Sequence, residues 1–344
     1  MGKITNFRDL IGAIKDKAAL SKASILPAGP SAAALPIRLA VLRATAHLPH
    51  SPPDDRRISA LLLLGDTSRA AAAPVVSAVV DRLRRTGSSV VALKCLLVLH
   101  HAVRRGPFIL RDQISVFPAA GGRNHLNLSR FRDAATPATW VLSAWVRWYA
   151  RYLETLLSAS RAVGYFLCSS TADYDRRISS SLNADLVGVV DCLVGVVEEI
   201  CRAPDYNPAV AEGEMLVKEV VRLLLTDYTS LVSELVPRLA ELSERLSCMS
   251  FGESVELLCA MKRLEECRER LSVLCAVDKH SIKTMWALVR ELKEKLGTSM
   301  VCAKDGGKLL SWGIRGKMSE STRFEERVLG KVDSVKFQSG RFAV

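Results

Sequence analysis

Apolar residues recurring every three or four positions constrain this 344-residue chain more than any other feature. From Ile282 the series Ile282, Met285, Val289, Leu292 and Leu296 runs at 3-4-3-4 spacing with Lys and Glu between, placing the apolar side chains on one stripe of a helix. Leu257, Met261, Leu264, Leu271 and Leu274 make a second stripe. Leu216, Val220, Leu224, Leu231, Leu235, Leu239, Leu242 and Leu246 make a third. No convincing run alternates apolar and polar residues as a half-buried strand would. The spacing therefore predicts an all-α chain of about ten helices, whose long amphipathic members bury their stripes against neighbours.

In the front half the helical stretches are shorter: Phe7 to Lys17, Leu35 to His47, Arg56 to Leu64, Ala71 to Arg85, Ser88 to Arg104 and Pro107 to Phe117. Breakers separate them at residues 27–30, 49–53, 65–66, 86–87 and 105–107. Short helices on tight turns predict a superhelical, right-angled stack. An irregular stretch from Pro118 to Thr136 precedes a strong helix over about Pro137 to Ser160. Its Trp145, Trp148, Tyr149 and Tyr152 read as a packing stripe rather than a platform for stacked bases. From 297 glycines punctuate a basic segment, expected to be a mostly mobile tail with one short helix near Lys308 to Trp312. Three regions result: 1–160, 161–296 and 297–344.

Charge is distributed unevenly along the chain. Residues 1–177 carry 25 basic and 11 acidic side chains, 178–274 carry 9 and 17, and 275–344 carry 14 and 8. A basic front half implies an anionic partner, whether nucleic acid, phospholipid head group or acidic protein face; composition does not choose among them. Nine scattered Cys without a Cys-x-x-Cys pair, and no secretory signal, suggest free thiols in a reducing, cytosolic compartment. Asn6 stands where a myristoylation motif needs Ser or Thr. The most apolar run, Val90 to Val103, is interrupted by Lys94, His100 and His101, so it suits a buried helix and not a membrane span.

Catalytic patterns are missing from the sequence: it has no nucleophile elbow, phosphate-cradling loop, dinucleotide fingerprint or His-Glu-x-x-His. Adjacent His100 and His101 would point about 100° apart on a helix and cannot share one metal. The other histidines lack metal-ligand spacing, so neither enzyme, cofactor nor metal site is expected.

The stretch from Arg43 to Arg57 is the most informative. A helix ending near His47, a proline-bounded turn and a helix starting around Asp54 would let Arg43 and His47 converge with Arg56 and Arg57. Three guanidiniums and the backbone N–H groups of the new helix would then form a shallow anion site.

Five segments occur in order at compatible spacing: Phe7 to Lys17, Arg43-Ala-Thr-Ala-His47, Val90 to His101, Asn127 to Asp133 and Trp145 to Leu153. Together they resemble the ANTH domain of the clathrin-assembly-protein family in its plant form, closely to about residue 160 and as helical pattern to about 296. The resemblance implies a helical stack that binds phosphatidylinositol 4,5-bisphosphate at the cytosolic membrane face, assembles clathrin coats in endocytosis and sorts vesicle SNARE proteins through its later helices. It implies a cytoplasmic protein, peripheral at coated pits and vesicles or at the Golgi, and no nucleic-acid partner. A protein-only helical scaffold with a decayed lipid site is the alternative.

The chain departs from the family's lipid motif, a Lys at a helix end and then Lys-x-Lys/Arg-His/Tyr after the turn. Arg43 matches the first position and, allowing a one-residue shift, Arg56 the third; Arg57 replaces the His or Tyr, and Asp54 replaces the second Lys. A carboxylate there should repel phosphate, with Lys15, Lys17 and Lys22 available to compensate. The family's short clathrin and adaptor motifs do not appear in the tail, which leaves it as a nonspecific electrostatic contact or a partner's docking site. Leu223-Leu-Leu-Thr-Asp227 imitates a clathrin box but falls on an amphipathic stripe, so core packing is the expected role.

Overall fold

The computed structural model describes residues 7–25, 34–116, 126–167, 174–205, 213–274 and 280–306. These residues are helical with irregular connections and contain no strand. Thirteen α-helices occur among them: α1 Phe7–Ile25, α2 Ala34–Ala44, α3 Asp55–Leu63, α4 Arg69–Arg85, α5 Ser89–Arg105, α6 Phe108–Val116, α7 Pro137–Val163, α8 Tyr174–Ser180, α9 Asn183–Cys201, α10 Glu214–Glu244, α11 Phe251–Glu266, α12 Arg268–Leu274 and α13 His280–Gly306. The chain divides into two units, residues 1–293 and 294–344.

Local sequence sets the helix ends. Ser68 caps α4 by accepting from the Ala71 N–H, and Ser250 with Glu253 forms a capping box on α11. Thr136 and Thr139 do the same for α7, with Pro137 at its first position, where the missing N–H costs nothing. That helix stops at Gly164, whose φ of +84° is a left-handed conformation a side chain would disfavour. Ser88 makes no such cap on α5. Asp133 supplies it from 44 residues away, its carboxylate accepting from the Ser89 N–H at 2.8 Å. Asp133 belongs to one of the ordered segments noted above, so its place there has a structural cause.

Within the first unit the helices pack in a stack. α1 meets α2, α2 meets α3 and α4, α4 meets α5 and α6, and then α5, α7, α9 and α11 pack each against the next; α10 lies on α5, α8 and α9. α5 is buried on every side from Ser89 to Val103. The aromatic stripe of α7 is core as expected: Trp145, Trp148, Tyr149 and Tyr152 are buried, and Tyr149 and Tyr152 bracket His100 edge-on. Each large apolar side chain so buried contributes roughly 1.5–3 kcal/mol.

Three expectations change. The surplus over about ten helices comes from α8, α9 and a break in the stripe from Leu257 to Leu274, where the Cys267 N–H turns back onto the Leu264 carbonyl at 3.1 Å and separates α11 from α12. α1 extends past Lys17 to Ile25. Gly297 does not end α13, which continues to Gly306; one glycine costs a helix interior only about 1 kcal/mol. The tail helix expected near Lys308 to Trp312 lies outside the described residues. No described helix is long and apolar enough to cross a membrane.

Candidate functional site

Residues 45–54, between α2 and α3, are held in place by three other helices. From α1, Asp16 accepts from the backbone N–H of His47 at 3.1 Å and meets its Nδ1 at 2.7 Å. From α4, Arg82 donates to Asp16 at 3.0 and 3.1 Å, to the Thr45 hydroxyl at 2.7 Å and to the Thr45 carbonyl at 3.0 Å. From α5, Lys94 donates to the carbonyls of Ala46 and Pro49, both at 2.6 Å. The histidine ring lies so close to α1 that a methyl group on Gly12 would stand 2.4 Å from it. Only glycine permits that approach.

The charges of this cluster perturb one another. Burial pushes the Asp16 carboxyl upward, but the hydrogen bond from His47 and the charge of Arg82 outweigh it, leaving Asp16 below its ordinary range. Lys94 is 3% exposed. Burial first, and the Arg57 charge second, pull its ammonium down to about 8 against the opposing pull of Asp16.

The arginines singled out by the sequence sit on the outside of this clamp. Arg43, Arg56 and Arg57 are exposed, and the Arg57 guanidinium reaches across the turn to the Arg43 carbonyl at 2.8 Å. His47 does not turn outward with them, because Asp16 engages it. Lys15 and Lys17 are exposed on α1. Lys22 lies on the same helix, and its side chain is outside the described set.

The start of α3 is not the open set of N–H groups that the sequence suggests. Asp54 is its N-cap and accepts from the Arg56 N–H at 2.9 Å. Asp55 follows as the first helical residue and pairs with Arg105, which holds its carboxyl below the ordinary range. Two carboxylates thus complement the helix dipole where phosphate was expected to dock. Arginine side chains, and not the helix start, are left to hold an anion.

A cleft of about 730 Å³ opens beside the turn, bounded by α1, α2 and α4. Lys15 and His47 line it together with Arg38, Arg82 and Arg85, none of the three arginines being marked by the sequence motif. Arg82 and Arg85 belong to a basic cluster ending α4, which the sequence displays, but nothing in the sequence joins that cluster to Arg38 of α2. On its outer side α1 exposes Phe7, Leu10 and Ile14, at 75%, 45% and 58%. An apolar ridge beside Lys15 and Lys17 is the pattern of a helix that lies in a membrane interface.

Elsewhere the chemistry-bearing residues serve the core. His100 joins the Tyr149 hydroxyl and the Asp227 carboxylate, each at 2.7 Å, and Asp227 also takes the Tyr152 hydroxyl at 2.6 Å and the Arg104 guanidinium. His101 faces Glu219 at 3.5 Å. Leu223, Leu224 and Asp227 of the clathrin-box imitation are buried, as the stripe implied. No group of three or more His, Cys, Asp or Glu could hold a metal among the described residues.

The model of the ANTH domain matches residues 37–280. Three Arabidopsis thaliana proteins are similar to the chain. "Putative clathrin assembly protein At4g40080" is 44% identical over the whole chain and 96% of its own length. "Putative clathrin assembly protein At5g10410" is 33% identical over 83% of the chain and 84% of its own length. "Putative clathrin assembly protein At5g65370" is 31% identical over 86% of the chain and all of its own length.

Proposed function

The chain belongs to the ANTH domain family, and from that premise we propose that it is a peripheral-membrane endocytic adaptor whose front helices hold phosphatidylinositol 4,5-bisphosphate. On this reading it promotes clathrin coat assembly, as the names of its relatives say of them, and its later helices carry SNARE cargo. The observation that carries the lipid half is the clamped turn: Asp16, Arg82 and Lys94 fix residues 45–49, and the turn presents Arg43, Arg56 and Arg57 to solvent. The apolar ridge of α1, tied to that turn through Asp16 and His47, supports contact with the bilayer itself. Basic residues near an anionic surface contribute about 1 kcal/mol each, enough together for reversible attachment.

Flotation of the full-length protein with phosphatidylcholine vesicles, with and without phosphatidylinositol 4,5-bisphosphate, tests the proposal. The inositol lipid should raise bound protein strongly. Arg56→Glu with Arg57→Glu should abolish that increment, and its survival would place the site elsewhere. Asp54→Asn keeps a good capping side chain while deleting one negative charge, so it should tighten binding without lowering the melting temperature. Equal partitioning of the unaltered protein onto both vesicles would refute the lipid reading and favour the protein-only scaffold.

A further inference from the structure

The cleft between α1, α2 and α4 is distinct from the exposed arginine turn and has a mixed character of its own. Four cationic side chains, Lys15, Arg38, Arg82 and Arg85, line it against one carboxylate, Asp81, which Arg85 already approaches at 3.6 Å. Asp16 behind it is paired with Arg82 and hydrogen-bonded to His47. The remaining walls are apolar: Ile37 and Val41 of α2, both buried, with Pro74 and Ala78 from α4 and Ala19 from α1 beside them. The α4 face concerned runs through 74, 77, 78, 81, 82 and 85, a helical stripe. Its volume, about 730 Å³, falls inside the range of about 300–1,000 Å³ typical of small-molecule sites, which are likewise apolar with a few placed polar groups.

We infer that this cleft is a second binding site, for an amphiphilic phosphate ester, with the phosphates on Lys15, Arg38 and Arg85 and the ester-bearing apolar portion on the floor between Val41 and Ala78. A simple anion would gain nothing from the apolar floor, and a neutral lipid nothing from the rim. Arg82 takes no direct part: with Asp16, Thr45 and the Thr45 carbonyl around it, it positions the wall. The inference deepens the membrane reading and rests on it for choosing a phosphoinositide among phosphate esters. It would let the protein grip one lipid molecule in the cleft while the turn arginines read the charge of the surface.

The test uses the full-length chain and three soluble probes: dioctanoyl phosphatidylinositol 4,5-bisphosphate, inositol 1,4,5-trisphosphate and dioctanoyl phosphatidylcholine. Calorimetric titration should show the short-chain inositol lipid binding at least tenfold more tightly than the free head group, with the choline lipid weakest. Ala78→Trp, which fills the floor without changing charge, should erase that tenfold advantage. Arg38→Glu, at an exposed position on α2, should weaken both inositol ligands at least tenfold at an unchanged melting temperature. Arg56→Glu with Arg57→Glu should preserve the short-chain lipid's advantage over the free head group, which belongs to the cleft, while reducing vesicle flotation. The cleft assignment fails if Ala78→Trp and Arg38→Glu both leave the short-chain lipid affinity unchanged while the unaltered protein still floats selectively. It also fails if the free head group binds as tightly as the lipid. Loss of selective flotation by the unaltered protein would instead overturn the membrane reading beneath it.

Discussion

Lys94 holds a charge under the very turn that presents the arginines, and its protonation makes a measurable signature. Its ammonium titrates near 8 in the folded protein and near 10.5 when unfolded. Between those values the unfolded chain binds the extra proton, so stability rises with pH across this window and the charged form is at its full disadvantage below 8. Over roughly 2.5 units, at about 1.4 kcal/mol each, the rise attributable to Lys94 is on the order of 3 kcal/mol. Lys94→Met should lack that rise in urea midpoints measured at pH 7.5 and 10, relative to the unaltered protein. It should also lose about 1–3 kcal/mol from two orphaned carbonyls. An identical pH dependence in both proteins would show that Lys94 is not buried as described. The sequence displays Lys94 only as an interruption in an apolar run, because its partners are backbone carbonyls 45 and 48 residues away, which carry no side-chain pattern. Asp54 is the converse case. Read by alignment it is a carboxylate in place of an ammonium; read by position it is the cap of α3, and its charge is spent on the helix start.

At the scale of elements, the join of α5, α7 and α10 depends on one carboxylate. Burial drives the Asp227 carboxyl upward, yet His100, Arg104 and the Tyr152 hydroxyl prevail and keep it below its ordinary range, ionised among buried partners. Removing that charge leaves the half-buried Arg104 guanidinium without its counterion and weakens the bond to His100, so Asp227→Asn should cost about 3–5 kcal/mol in denaturant unfolding. Leu223→Ala should cost about 2–5 kcal/mol for its cavity. If residues 223–227 were instead a working clathrin box, Leu223→Ala would abolish clathrin capture at an unchanged midpoint. Helices of this kind were legible wherever one face is polar, as in α10 and the stripe beginning at Ile282, and where caps are local, as at Thr136 and Ser250. α9 was not, because its contacts with α7, α10 and α11 bury it on several sides and its sequence is apolar nearly all round, leaving no period to read. The exposed arginines of the candidate site were legible from spacing. The cleft was not, since Lys15, Arg38 and Arg85 come from three helices whose juxtaposition is tertiary.

For the molecule as a whole, the order of packing within residues 1–293 separates the charges. The basic front begins the succession of contacts at α1 and α2, and the acidic stretch 178–274 supplies α9, α11 and α12 farther along it, with α10 reaching back onto α5. An anionic bilayer should attract the first and repel the second, so the protein should approach lipid with α1 to α4 leading. Two consequences separate this orientation from diffuse charge attraction. Flotation should fall steeply between about 50 and 300 mM salt, because screening shortens to about 10 Å at 0.1 M and weakens contacts between exposed charges first. Neutralising exposed acids of the far end, with Glu256→Gln, Glu266→Gln and Glu269→Gln together, should leave flotation within twofold even though it raises net charge by three. Neutralising as many front arginines, Arg38→Gln, Arg56→Gln and Arg57→Gln, should reduce it at least tenfold. Were net charge the only determinant, the first variant would bind more tightly by as much as the second binds less. Asymmetry between the two is therefore the quantity to measure, and equal and opposite responses would refute a front-first orientation.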